Sequence, residues 1–209
     1  MERAYHFVSL HYGLDDLRRR HLKISRLDDL NDPFELWAIA QPDHRIRQAL
    51  KATKAQMATQ FGLLCFSRDW HNPLLWSHYA DKHRGLALGF DVDEHIPKPV
   101  TYRRTRPVLT TIDTKVAKWL LFTKYADWSY EYEARIFTSL EDQELKTGLY
   151  FANLSEQLIL REVIAGPLCT TTERELREAA GSAEGVKFTR ARLAFKTFRV
   201  VTDRRGFGD

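Results

Sequence analysis

Long hydrophobic runs, paired cysteines and glycine-rich loops are all scarce in this sequence, and each scarcity removes a class of protein. No run of even a dozen apolar residues occurs, so no segment suits a transmembrane helix, which needs about 20. The stretch MERAYHFVSLHYGLDDLRRR has neither an apolar signal core nor a small-residue cleavage site, so secretion is not expected. Cys65 and Cys169 stand far apart and in no CxxC pattern. They make no thiolate zinc site, and a cytoplasmic location is expected. Neither GxGxxG nor GxxxxGK[ST] is present, which removes the usual phosphate cradles. Eight histidines include no HExxH and no i, i+4 pair. Asp69, His71, His78 and Asp81 form only a sparse donor set, and no metal is expected. Ser67 lacks a GxSxG elbow, and the apolar neighbours of Cys65 raise its pKa rather than activate it. A standard hydrolase is disfavoured.

What remains is ordinary globular material. The 209 residues, 44% apolar and 29% charged, suffice for one domain with a full core, residues 1–209, and exclude disorder as the main state. The net charge of +4 lies in the stretch from Arg174 onward, which holds nine Lys/Arg against five Asp/Glu. Such a basic segment suits a nucleic acid or an acidic protein. A solvated strand face explains it equally well.

Periodicity and turn chemistry predict strands at residues 4–9, 21–25, 62–67, 85–90, 130–138 and 158–165, with one or two more over 186–202. Helices are predicted at 14–20, 43–60, 73–80, 116–125 and 172–180, the last opened by a Thr-x-x-Glu cap. Asn31-Asp32-Pro33 reads as a turn in which Asp32 caps a helix with Pro33 at its first position. The intermixed elements indicate α+β, with mixed or antiparallel sheets and flanking helices; parallel βαβ winding has no support.

Polar residues concentrate in four places. Tyr5-His6-Phe7 with Ser9 is a histidine flanked by aromatics on a strand, which is also what a core histidine looks like. Asn31 to Glu35 reads most economically as a turn and cap. Ser67 leads through Asn72 into a helix bearing Trp76 and Tyr79, three apart on one face, equally the pattern of a helix packed on a core. In the stretch from Lys124 to Arg135, an extended chain projects Glu131, Glu133 and Arg135 from one face. That set is either a solvated edge with cross-strand ion pairs or a carboxylate pair that binds ribose hydroxyls and stabilises a developing cation.

In order along residues 4–167, these segments resemble the uncharacterised family labelled domain of unknown function 2971. The resemblance rests on Tyr5, His6, Phe7 and Ser9, then Asn31-Asp32-Pro33-Phe34-Glu35, Phe66-Ser67 and Trp76 to Tyr79. It continues with Gly85 to Phe90, Lys124 to Arg135, and Glu162 to Gly166. More distantly, the order is similar to the ADP-ribosyltransferase superfamily, whose sites use a His on the first strand, a middle Tyr and a later Glu. That likeness implies NAD+ as substrate and no metal. His6 would bond the adenosine-side ribose, and Tyr79 with Trp76 would stack on nicotinamide. Glu133 would hold the ribose 2′-hydroxyl and stabilise the oxocarbenium, and Glu131 would meet the acceptor, the two exchanging roles if the register shifts by two. Ser9 and Ser67 would lie on the cofactor side; Asn31, Asp32, Lys124, Arg135, Arg190 and Arg192 would contact substrate.

Three functions follow. The leading one is transfer of ADP-ribose from NAD+ to a macromolecule, a nucleic acid or protein, with the basic segment from Lys187 to Arg192, Lys196 and Arg199 suited to nucleic acid. With water as acceptor it becomes an NAD+ glycohydrolase. Such activities resemble toxins and phage-defence effectors, which act with an antitoxin or a defence-system partner. The second is metal-dependent nucleic-acid processing through His6, Asp32, His71 and Glu133, with Arg103, Arg104 and Arg106 on the backbone. The third is a noncatalytic nucleotide- or partner-binding module.

Overall fold

In the computed structural model, alternating side chains make Glu2–Val8 the first strand, β1. Helix α1 (Leu10–Arg19) follows and ends where Arg20 turns left-handed at φ 53°; it starts four residues before the predicted Leu14. Strand β2 (His21–Arg26) buries Leu22 and Ile24 on one face, as their alternation predicts. The next expectation fails. Asp32 caps no helix: its Oδ1 accepts from Phe34 N at 2.9 Å and its carbonyl from Glu35 N at 3.0 Å, closing a turn. Leu36 then adopts φ 64°, which no α-helix continues through.

Helix α2 (His44–Ala58) is capped by Asp43, which accepts from Arg45 N at 2.7 Å. Thr53 is tolerated in it because its hydroxyl donates to Ala49 O. Strand β3 (Phe61–Ser67) leads to α3 (Pro73–Tyr79), capped by Asn72 and opened by Pro73, and then to β4 (Leu86–Val92). Two short strands, β5 (Lys98–Pro99) and β6 (Thr101–Arg103), carry no periodic signal. Helix α4 (Thr114–Leu121) stops four residues short of the predicted Tyr125. The Phe122 carbonyl is taken by Thr101 N at 2.8 Å, and Thr123–Tyr125 becomes strand β7 beside β6.

A 3₁₀ turn (Ala126–Glu131) precedes β8 (Glu133–Ser139). Tyr130 and Glu131 are therefore not in the predicted strand; left-handed Tyr132, φ 46°, divides the turn from it. Strands β9 (Tyr150–Asn153) and β10 (Leu158–Ala165) follow. Helix α5 (Glu173–Ala180) has the full Thr172/Glu175 capping box, and β11 (Lys187–Leu193) and β12 (Val200–Thr202) come after it.

The described residues are 1–41, 43–108, 113–181 and 184–208. They divide into two units, each described by itself, and β3 supplies residues to both. The first unit comprises Met1–Leu22, Phe66–Ile96 and Ala152–Asp209. Its strands run in the order β12-β11-β10-β4-β1, with Ser67 paired to Tyr5 beyond β1. All pairs there are antiparallel except β10 with β11, which are parallel and joined through α5. This βαβ crossover is a winding for which the sequence offers no support: Arg161 and Glu162 interrupt the apolar pattern of β10, and nothing in the side-chain order of a single strand marks its direction. Helix α1 lies against α5 and covers the sheet face of Val8 and Leu86, while α3 presses Trp76 on Phe7 of the opposite face.

The second unit comprises Lys23–Cys65 and Pro97–Phe151. In it β3 pairs with β2 (Ser25↔Leu63) and with β8, and β8 pairs with β5 (Lys98↔Arg135). Leu27, Leu36, Ile39, Leu50, Leu63 and Leu121 form its core. The class is α+β, with mixed pairing and flanking helices. No helix among the described residues is long and apolar enough to cross a membrane.

The bend into β4 in the first unit leaves no room for a side chain. A Cβ on Gly85 would collide with the Val8 carbonyl oxygen and stand 3.0 Å from Ala80 Cα, whereas one on Gly208 would meet nothing within 4 Å. G85A is expected to cost about 2–3 kcal/mol and lower Tm by roughly 5–10 °C, with G208A unchanged. Calorimetry showing equal Tm values would contradict this close approach.

Candidate functional site

In the second unit, motif residues from well-separated stretches meet in one buried ionic cluster. Arg135 of β8 is 1% exposed and sits between two carboxylates. Its Nη1 and Nη2 donate to Glu35 at 3.0 and 2.5 Å, and its Nε and Nη2 donate to Glu133 at 2.8 and 3.0 Å. Nη1 also donates to the Leu121 carbonyl at the end of α4, at 2.7 Å. Lys124 of β7 donates to Glu131 at 2.6 Å and to Glu133 at 3.3 Å, and lies 3.7 Å from Glu35. The Trp128 ring faces its ammonium at 4.8 Å. Each charged group of the cluster is at least nine-tenths buried.

The local backbone explains the convergence. The 3₁₀ turn and left-handed Tyr132 carry Glu131 back over Lys124, although it does not share the β8 face of Glu133 and Arg135. Glu133 N donates to the Tyr102 hydroxyl at 2.9 Å, tying β8 to β6. Burial alone would push the Glu133 carboxyl up, but the charges of Arg135 and Lys124 and the Arg135 hydrogen bonds outweigh it, and its pKa falls to about 2. Burial alone would lower Lys124 and Arg135; the Glu133, Glu131 and Glu35 charges reverse this for Lys124, and Glu133 and Glu35 for Arg135. Burial pushes Cys65 well above the usual thiol range, with the Glu133 charge adding to it, as its apolar sequence neighbours predict. Burial also moves the Tyr102 phenol to about 12.

Glu35 and Tyr102 were not singled out by the motifs as site residues. The available signal for Glu35 was an acid enclosed by Phe34, Leu36 and Trp37. Beside it, Asn31 is exposed, whereas Asp32 is 2% exposed and its Oδ2 finds no hydrogen-bond partner among the described residues.

The other candidates belong to the first unit. His6 is half-buried on β1, edge-on to Phe66 with ring centroids 6.0 Å apart. Alternation along β1 puts it on the face opposite Phe7, and so away from Trp76. Trp76 does not serve as a stacking platform: it is fully buried, and its Nε1 donates to the Trp70 carbonyl at 2.6 Å. Tyr79 is half-buried at the end of α3. Ser67 is 4% exposed and closes a local turn, its hydroxyl donating to Asp69 O and accepting from Asp69 N. Ser9 sits at the start of α1, where its carbonyl accepts from Gly13 N. Arg190 and Arg192 lie on β11, with the Arg192 guanidinium 4.4 Å from the Phe195 ring centroid.

The sparse donor set does not assemble. Asp69 caps His71 N and pairs with Arg199, the His71 ring meets the Val200 carbonyl, and Asp81 pairs with Arg84. Among the described residues no three His, Cys, Asp or Glu are grouped as a metal ion requires. Arg103 faces the Trp119 ring and Arg106 the Phe34 ring.

Comparison with protein-family models, with curated proteins and with solved structures finds no match for this chain.

Removing one member of a buried ion pair leaves the other uncompensated. R135M is expected to lose about 3–5 kcal/mol in urea unfolding. The depressed Glu133 pKa sets a pH window as well. Its stabilisation is present above the ordinary value of 4.5 and is lost as pH falls through about 2, a contribution on the order of 3 kcal/mol. E133Q should flatten that part of the stability–pH profile, and an unchanged acid limb would contradict the pairing.

Proposed function

We propose that this protein is an ADP-ribosyltransferase-like enzyme that takes NAD+ as substrate, as its resemblance to the domain of unknown function 2971 family and, more distantly, to the ADP-ribosyltransferases implies. The observation that carries the reading is the charge of the buried cluster. Three carboxylates, Glu35, Glu131 and Glu133, face two cations, Lys124 and Arg135, leaving one surplus negative charge. When the bond between ribose C1′ and nicotinamide breaks, its electron pair leaves with nicotinamide and the ribose becomes an oxocarbenium. A carboxylate held ionised stabilises that cation, and Glu133 is held so down to about pH 2. The acceptor then bonds to C1′ and gives up its proton. Glu131 is assigned to the acceptor side, and its partner Lys124 must yield for it to act.

The likeness assigns His6 and Tyr79 to NAD+ contacts; Trp76, fully buried, offers no face for stacking. The acceptor in this reading is a nucleic acid or a protein; with water the same chemistry is NAD+ hydrolysis. A toxin or defence role, with an antitoxin or defence-system partner, belongs to the same reading.

One observation favours a noncatalytic nucleotide- or partner-binding module instead. Both oxygens of Glu133 are already engaged at 2.8 to 3.3 Å by Arg135 and Lys124, as in a purely structural ion network.

The test is nicotinamide release from NAD+ by the purified protein, alone and with total nucleic acid, beside E133Q, H6A and Y79A. Release is expected, with a loss of about 100-fold or more in folded E133Q. Full activity in that variant would exclude the carboxylate chemistry, and NAD+ binding without release would favour the module.

A further inference from the structure

The first unit carries a basic surface with exposed aromatic rings at the β12 end of its sheet. Strands β11 and β12 are joined by residues 194–199, a loop closed at its base by Ala194 N donating to Arg199 O at 2.9 Å. His71 extends the edge beside β12: Val200 N donates to the His71 carbonyl at 2.8 Å, and the His71 Nδ1 lies 2.7 Å from Val200 O. A groove of about 590 Å³ opens here, lined by His71, Phe195 and Thr197 and by the cations Arg192, Lys196 and Arg204.

Two features of this groove need a common explanation. The first is charge. From Lys187 to Arg205 there are seven Lys/Arg and a single acid, Asp203, and Asp203 is held by Arg205 at 3.0 Å. Among the described residues no carboxylate lies within ion-pair distance of Arg192, Lys196 or Arg204; the Arg192 guanidinium instead donates to Leu193 O and faces Phe195. The second is the aromatic side chains. Phe195 is 88% and Phe198 98% exposed on the same loop. One exposed apolar side chain is ordinary, but two rings interleaved with cations are the elements of a stacking platform.

The geometry points to a binding site for a single-stranded polynucleotide, its phosphates on Arg192, Lys196 and Arg204 and its bases stacked on Phe195 and Phe198. A duplex hides its base faces and leaves the rings idle. An acidic peptide meets the cations but brings a ring to each phenylalanine only where its own aromatic residues are so placed, whereas every nucleotide carries a base. If the NAD+ reading holds, this groove identifies the acceptor class; the binding itself does not rest on that reading and is measured without NAD+.

The experiment is fluorescence anisotropy of the full chain with a labelled oligodeoxythymidylate of about 12 nucleotides, in a salt series starting near 50 mM. Saturable binding at about 1–100 µM is expected, with a log–log salt slope near −2 for three phosphate contacts. K196Q and R204Q should each make the slope shallower by about 0.7. The F195A/F198A double variant, altered only at exposed positions, should bind about tenfold or more weakly with the slope unchanged. Absence of saturable binding would overturn the inference. So would equal affinity for the same sequence as a duplex, unchanged binding by the double variant, or equal competition by polyglutamate.

Discussion

A guanidinium cannot remain inside a protein unless its donors are met, and Arg135 imposes that condition on three stretches of the second unit. Taking it out of water costs several kcal/mol. The offset comes from Glu35 in the turn before α2, the Leu121 carbonyl at the end of α4, and Glu133 two residues away on β8. Much of the local architecture follows. The turn after β2 has to present Glu35 rather than start a helix, and α4 has to end with a carbonyl available. Strand β8 has to keep Arg135 opposite Lys98; a slip of one residue would turn both Glu133 and Arg135 to the other face. Lys124 then supplies a counter-charge to Glu131, to which it donates at 2.6 Å.

Local chemistry was readable and long-range partnership was not. The Asn72 cap with Pro73, the Asp43 cap and the Thr172/Glu175 box each act within a few residues, so the sequence pattern located α3, α2 and α5 well. The alternation of Leu22 and Ile24 located β2 for the same reason. The 3₁₀ turn has no sequence signal, because alternation through Tyr130 and Glu131 imitates a strand and Tyr132's backbone angle interrupts it. Glu35 looks like part of a turn because its partner stands 100 positions away, and nothing near it in the sequence signals a buried cation. Trp76 and Tyr79 share a helix face in the sequence pattern, yet the core takes one ring entirely and leaves the other partly exposed. The parallel pairing of β10 with β11 has no signature in either strand alone, because the connection through α5 sets the direction and the side-chain pattern does not.

The two units present opposite electrostatic characters. The ionic cluster is buried, self-compensated to within one charge and depends on residues held within hydrogen-bond distance. The loop between β11 and β12 is exposed, with Arg199 paired to Asp69, and depends on rings and long cationic side chains that water already surrounds. Charge reaches the first only by displacing an existing partner, whereas it reaches the second without rearrangement. A change in ionic strength therefore acts mainly on the loop, since buried pairs are screened far less than exposed ones.

The first unit is assembled from three separated lengths of chain, and this has a consequence for how the protein is made. Val8 of β1 pairs with Leu86 of β4, and at ~5–20 residues per second of synthesis the partner emerges roughly 4–16 s after the strand that needs it. β4 in turn lacks β10 until residues beyond 158 appear. During that interval β1 has no β4 partner, and its unpaired backbone is open to other nascent chains. Slow, non-local closure of this kind makes the yield of folded protein sensitive to translation speed and to chaperones that shield the amino-terminal strand.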